Sequence, residues 1–130
     1  MTQKRLVLGV DFDGTIVEEA FPKIGAIKPK TLQLMRRAYN LGHLVIVWTA
    51  RSGQAVEDCK EFLIENEIPH HFINENPEDP YFKRGEQGRK IFCDYYLDDR
   101  AINIKDIDVL FDVVGDKPYQ PTLWTNDGDL

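Results

Sequence analysis

Residues Val7–Ile16 read Val-Leu-Gly-Val-Asp-Phe-Asp-Gly-Thr-Ile, an apolar run that ends in two carboxylates, a glycine and a hydroxyl. An apolar run without polar breaks fits a strand buried on both faces, as in parallel sheets. Side chains alternate along an extended chain, so Asp11 and Asp13 share a side if that geometry continues. Two acids at one strand end repel each other unless a cation or a shared proton intervenes. Mg2+ prefers oxygen ligands, takes one or two carboxylates and completes its shell with water or phosphate. Gly14 permits a tight turn that brings backbone N–H groups close to an anion. The run therefore implies a metal-assisted phosphoryl site.

The rest of the chain alternates strand and helix signals. After a first strand over residues 6–11, residues 16–27 (with Glu18, Glu19, Pro22 and Gly25) read as an irregular excursion. Pro29 opens a helix running to about Leu41, with Gly42 as its stop. Leu44–Trp48 is a continuous apolar run that ends at Thr49, a second buried strand. A helix follows over residues 53–66, a short strand over 70–73, a long polar loop over 74–89 and a fourth strand over 91–97 that ends at Asp98-Asp99. Residues 107–114 are expected to form a fifth strand, and residues 115–130 an extended tail. This order predicts a single α/β domain over residues 1–130: a three-layer, doubly wound, mostly parallel sheet of Rossmann-like type. Open α/β sheets bind ligands beyond the carboxyl ends of their strands. Asp11/Asp13, Thr49/Arg51 and Asp98/Asp99 all fall at such ends, so they converge.

The chain has 130 residues and a net charge of −6, which argues against sequence-independent binding to nucleic acid. The two cysteines, Cys59 and Cys93, lie in apolar-periodic segments and fit reduced thiols of a cytoplasmic protein. No signal peptide and no apolar run of membrane-spanning length is visible, so a membrane role is not expected. His43 sits at a strand start, away from the converging acids, and His70 and His71 flank a short strand; structural roles are expected for all three.

The pattern at Asp11, Asp13, Gly14 and Thr15 resembles the first motif, D-x-D-G-T, of the haloacid dehalogenase-like (HAD) hydrolases. Three further motifs follow in the family's order. Leu44–Thr49 matches the apolar strand ending in a hydroxyl, Lys90 (with Arg89 as competitor) the basic residue, and Asp98-Asp99 the closing acidic pair. Together they span roughly residues 6–104. The runs Trp48-Thr49-Ala50-Arg51 and Asp98-Asp99-Arg100-Ala101 look like small bacterial and phage members. Neither gap between motifs has room for a cap domain, so the chain resembles a capless member with an open site.

The resemblance implies a Mg2+-dependent phosphatase acting through an aspartyl-phosphate on a small phosphorylated metabolite. Asp11 would be the nucleophile and Asp13 the general acid and base. Asp11, the backbone carbonyl of Asp13 and Asp99 would hold Mg2+, with Asp98 supporting Lys90 or a metal-bound water; which of Asp98 and Asp99 is the direct ligand stays open. Thr49, Lys90 and the backbone around Phe12 to Gly14 would bind phosphoryl oxygens. Ala50 falls in the same stretch. Arg51 is read either as a bidentate phosphate contact or as a surface arginine at the next helix. Two alternatives stay open: a macromolecular substrate, and a catalytically weak metal- and phosphate-binding module. An open site and the tail residues Tyr119, Leu123 and Trp124 are compatible with a homo-oligomer.

Overall fold

The computed structural model describes residues 5–75, 93–98 and 107–119. Within them the chain forms β1 (Val7–Asp11), α1 (Pro29–Asn40), β2 (Leu44–Trp48), α2 (Gln54–Glu65), β3 (Phe72–Ile73), β4 (Tyr95–Leu97) and α3 (Ile107–Val114). The four strands make one parallel sheet in the order β3-β2-β1-β4. The fold is thus α/β and Rossmann-like. The strand order reverses beside β1, the kind of switch point at which such sheets bind ligands.

Local chemistry sets the element ends. Proline pushes the residue before it out of the helical region, and Lys28 is accordingly extended before Pro29 opens α1. Thr31, Leu34, Met35 and Ala38 form the buried stripe of α1, and Gly42, at φ 94°, ends the turn that leads into β2. Alternation then divides the sheet. Leu8, Val10, Val45, Val47 and Leu97 face the main core, to which α1, α2 and α3 all contribute. Ile46 and Cys93 face the other way with half-buried Val7, Trp48, Phe72 and Tyr96. The third layer expected from sequence lies outside the described residues. So do the 76–89 part of the long loop, residues 91 and 92 of the expected fourth strand, and the tail from residue 120.

Residues 107–114 are a helix, not the expected fifth strand. Their β-branched composition favours a strand locally, but Ile107, Leu110 and Val114 recur at helical spacing and are buried together. Packing on α1 decides the outcome: Lys30 pairs with Asp108 at 2.7 Å, and the Arg37 guanidinium lies 5.1 Å from the centre of the Phe111 ring. Among the described residues no helix is long and apolar enough to cross a membrane.

The amino-terminal edge of the sheet is fastened by side chains that accept hydrogen bonds from strand N–H groups. Asp94 Oδ2 accepts from Val7 N at 2.7 Å. His43 Nδ1 accepts from Leu6 N, and His71 Nδ1 from Val45 N, each at 3.0 Å. An accepting nitrogen must be unprotonated. Desolvation, with the charge of Arg5, holds the pKa of both rings below the ordinary 6.5. Below 6.5 the unfolded chain takes up protons that the folded chain resists, so this contribution is complete above pH 6.5 and is lost as pH falls. The urea midpoint should therefore drop between pH 7 and pH 5, and His43→Asn should show a shallower drop.

Gly9 lies where β1 and the segment leading into β4 approach closely. A Cβ there would stand 2.6 Å from Cys93 Sγ and 3.3 Å from the Tyr96 ring. Overpacking of this kind costs about 1–3 kcal/mol. Gly9→Ala should lower unfolding stability by that amount in urea, and adding Cys93→Ala, which removes the overlapping sulfur, should restore most of it.

Candidate active site

The carboxyl ends of β1 and β2 open into a cavity of about 500 Å³ lined by Asp11, Asp13, Glu19, Phe21, Thr49, Ala50 and Arg51. Register brings these residues together: Asp11, the last residue of β1, lies beside Trp48, the last of β2, so Thr49 follows directly next to it. On the other side Val10 pairs with Leu97, which sets Asp98 at the strand end next to Asp11. Asp98 is buried. Lys90, Arg89 and Asp99 lie outside the described residues.

The chain after Asp11 turns sharply. The Phe12 carbonyl accepts from the N–H groups of Thr15, Ile16 and Val17, at 3.3, 3.0 and 3.2 Å. Gly14 sits at φ 85°, a region open to glycine without steric cost. Phe12 N donates to Trp48 O at 3.0 Å and Gly14 N to Val17 O at 2.8 Å. These two N–H groups, expected from sequence to hold phosphoryl oxygens, are thus already engaged in building the turn, and the Phe12 side chain is fully buried.

Thr49 is held from two directions. Asn74 Oδ1 accepts from Thr49 N and Asn74 Nδ2 donates to Thr49 O, both at 2.9 Å. Thr49 Oγ1 accepts from Arg51 N at 3.1 Å, which leaves its O–H available as a donor to the cavity. Asn74 closes β3 at φ 56°, a conformation asparagine tolerates better than most residues. In sequence Asn74 reads only as a turn former. The signal for its role is an asparagine directly after a strand, but its partner lies across β2 and sequence does not name it.

Arg51 is engaged on several sides. It is buried, with 1% of its side chain accessible, and is therefore not a surface arginine. Its guanidinium grips Asp13 rather than standing free for a bidentate phosphate contact: Nε donates to Asp13 Oδ2 and Nη2 to Asp13 Oδ1, both at 2.8 Å. Nη2 also donates to Lys23 O at 2.9 Å and Nη1 to Pro22 O at 3.3 Å. The rings of Phe12 and Phe21 lie 5.3 and 5.0 Å away. The hydrogen bond to Asp13 raises the proton affinity of Arg51 above the ordinary arginine value, so its charge is secure. Cys59, in the adjoining core, is pushed up to about 11 by burial and is not a thiolate at neutral pH.

The donor chemistry here suits a hard cation. Asp11 and Asp98 stand at adjacent strand ends, and oxygen is the atom both offer. Among the described residues no group of three or more histidine, cysteine or acidic side chains is arranged to hold a metal ion. Mg2+ needs no such cage, since water and substrate phosphate fill most of its shell. The hydrogen bonds of Asn74 to Thr49 are worth about 1–3 kcal/mol together. Asn74→Gly, which keeps the backbone conformation accessible, should lose that amount in urea unfolding.

No known protein-family profile matches the chain. Over 83 residues, 62% of its length, it is 30% identical to a Metamycoplasma hominis protein named "Putative phosphatase in upp 3'region". The match spans 29% of that protein. Among solved structures, a conserved protein of Bacteroides thetaiotaomicron superposes with a TM-score of 0.68 at 24% identity, over 85% of this chain and 90% of its own. A chain of the Pnkp1/Rnl/Hen1 RNA repair complex superposes with a TM-score of 0.52 at 18% identity, over 92% of this chain and 45% of its own. Both structural likenesses concern the fold.

Proposed function

We propose that the chain is a phosphatase of the HAD type that uses Mg2+ and hydrolyses a small phosphorylated metabolite. The observation that carries this reading is the gathering of Asp11, Asp13 and Thr49 around one cavity at the carboxyl ends of β1 and β2. The likeness to a protein named as a phosphatase supports it.

In the proposed reaction a carboxylate oxygen of Asp11 attacks phosphorus. The bond from phosphorus to the ester oxygen breaks, and Asp13, entering the step in its protonated form, gives that oxygen its proton. Asp13, now a carboxylate, then takes a proton from a water that attacks the phosphorus of the acyl phosphate. Inorganic phosphate leaves and Asp11 is regenerated. The Thr49 O–H donates to a phosphoryl oxygen, and Asn74 fixes the backbone that presents it. Lys90 is proposed as the cation that balances the acids and the phosphate. The Asp11 carboxylate and the backbone carbonyl of Asp13, with Asp98 or Asp99, are proposed to hold Mg2+. When bound, the metal neutralises the carboxylates and stabilises charge on the transferring phosphoryl group.

The test is phosphate release from a panel of small phosphate esters, with Mg2+ and with EDTA. Release should require the metal. Asp11→Asn should abolish turnover, and Asp13→Asn should slow it by a factor on the order of 10²–10⁴. Near-normal turnover by Asp11→Asn in metal-replete buffer would remove Asp11 as the nucleophile.

A further inference from the structure

We infer that Arg51 is a positioning residue, which aims the Asp13 carboxylate and ties the 18–25 segment to the cavity wall, and that it does not bind the phosphoryl group. The first half of this inference rests on the proton-transfer role proposed for Asp13.

The donor geometry carries the inference. A guanidinium has five N–H groups in a fixed plane. Four of them are committed, two to the oxygens of Asp13 and two to the carbonyls of Pro22 and Lys23. At most one remains, so the fork that would grip a phosphate has been used. The surroundings are also closed: the guanidinium lies near the Phe12 and Phe21 rings, and the side chain is 1% accessible while that of Asp13 is 17% accessible. Both residues line the cavity, and Asp13 is the more accessible of the two.

The two carbonyls explain why the contact is more than an ion pair. Pro22 and Lys23 belong to the excursion that also carries Glu19 and Phe21, two residues of the cavity wall. The excursion has its own fastenings, Glu18 N to Ala26 O and Lys28 N to Ile16 O, both at 2.8 Å, near its base. At Gly25 a Cβ would overlap the Glu18 carbonyl, so the two arms run close together. Arg51 is the link between the far turn of this excursion and the carboxylate after β1. Lysine, a compact charge without a planar fork, cannot reproduce all four bonds.

The experiment compares wild type, Arg51→Gln and Arg51→Lys in the full chain, alone and combined with Asp13→Asn. It reads kcat and KM for para-nitrophenyl phosphate, inhibition by inorganic phosphate, and hydrogen exchange of the 18–25 amides. Lost positioning is expected to lower kcat by a factor on the order of 10². Phosphate inhibition should stay within about twofold of wild type, as expected where no ground-state contact is lost. In the Asp13→Asn background, removing Arg51 should cost little more, because the two act as a unit. The Lys23 amide should exchange faster in both Arg51 variants. Weakened phosphate inhibition with kcat retained would make Arg51 a phosphate ligand and overturn the inference. If the wild type hydrolyses no ester, the proposed function fails, and exchange alone decides the tether: rates equal to wild type in both variants overturn it.

Discussion

The structure depends on the position of β1 inside the sheet. Val7–Asp11 is hydrogen-bonded to β2 on one side and β4 on the other. Leu8 and Val10 pack into the main core, while Gly9 admits Cys93 and Tyr96 on the opposite face. A strand buried on both faces and paired on both edges cannot slip register without exposing its apolar set. Its carboxyl end is therefore fixed relative to Thr49 and Asp98, and the chemistry of the cavity inherits that fixity. Most of the stabilisation lies in burial of apolar surface, and the direction in which the acids point follows from strand pairing.

The two edges of the sheet are used differently. At the amino-terminal edge Asp94, His43 and His71 serve as acceptors for backbone N–H groups. At the carboxyl-terminal edge the side chains converge on a cavity, and the fastening is done by Arg51 and Asn74. Polar groups of similar chemistry thus hold strands at one end and line the candidate site at the other. What separates them is whether the partner is a strand N–H or another functional side chain.

The main strands, α1 and α2 were legible in sequence because uninterrupted apolar runs and helical stripes carry their own period. Pro29 and Gly42 marked boundaries for reasons of backbone geometry alone. The convergence of Asp11, Asp13 and Thr49 was legible too, since parallel strands place their carboxyl ends together. Residues 107–114 were misread because Val, Ile and Phe favour a strand locally, whereas their i, i+3, i+7 pattern satisfies α1. The partner of Arg51 was not legible. Nothing in Thr-Ala-Arg says that the guanidinium will turn toward an acid 38 residues earlier rather than toward solvent or a ligand. The same is true of Asn74, whose bonds to Thr49 join positions 25 residues apart. Contacts set by tertiary placement leave little trace in local composition.

The bonds from Arg51 to the excursion end on main-chain oxygens, those of Pro22 and Lys23. A carbonyl is present whatever side chain stands at that position, so the attachment does not prescribe the residues around it. The side chains of 18–25 are thereby released to vary, and with them the surface the cavity offers to a ligand. Recognition can drift in such an arrangement while the hold on Asp13 stays constant. A loop grafted here would need the same backbone path, with its side chains open to choice.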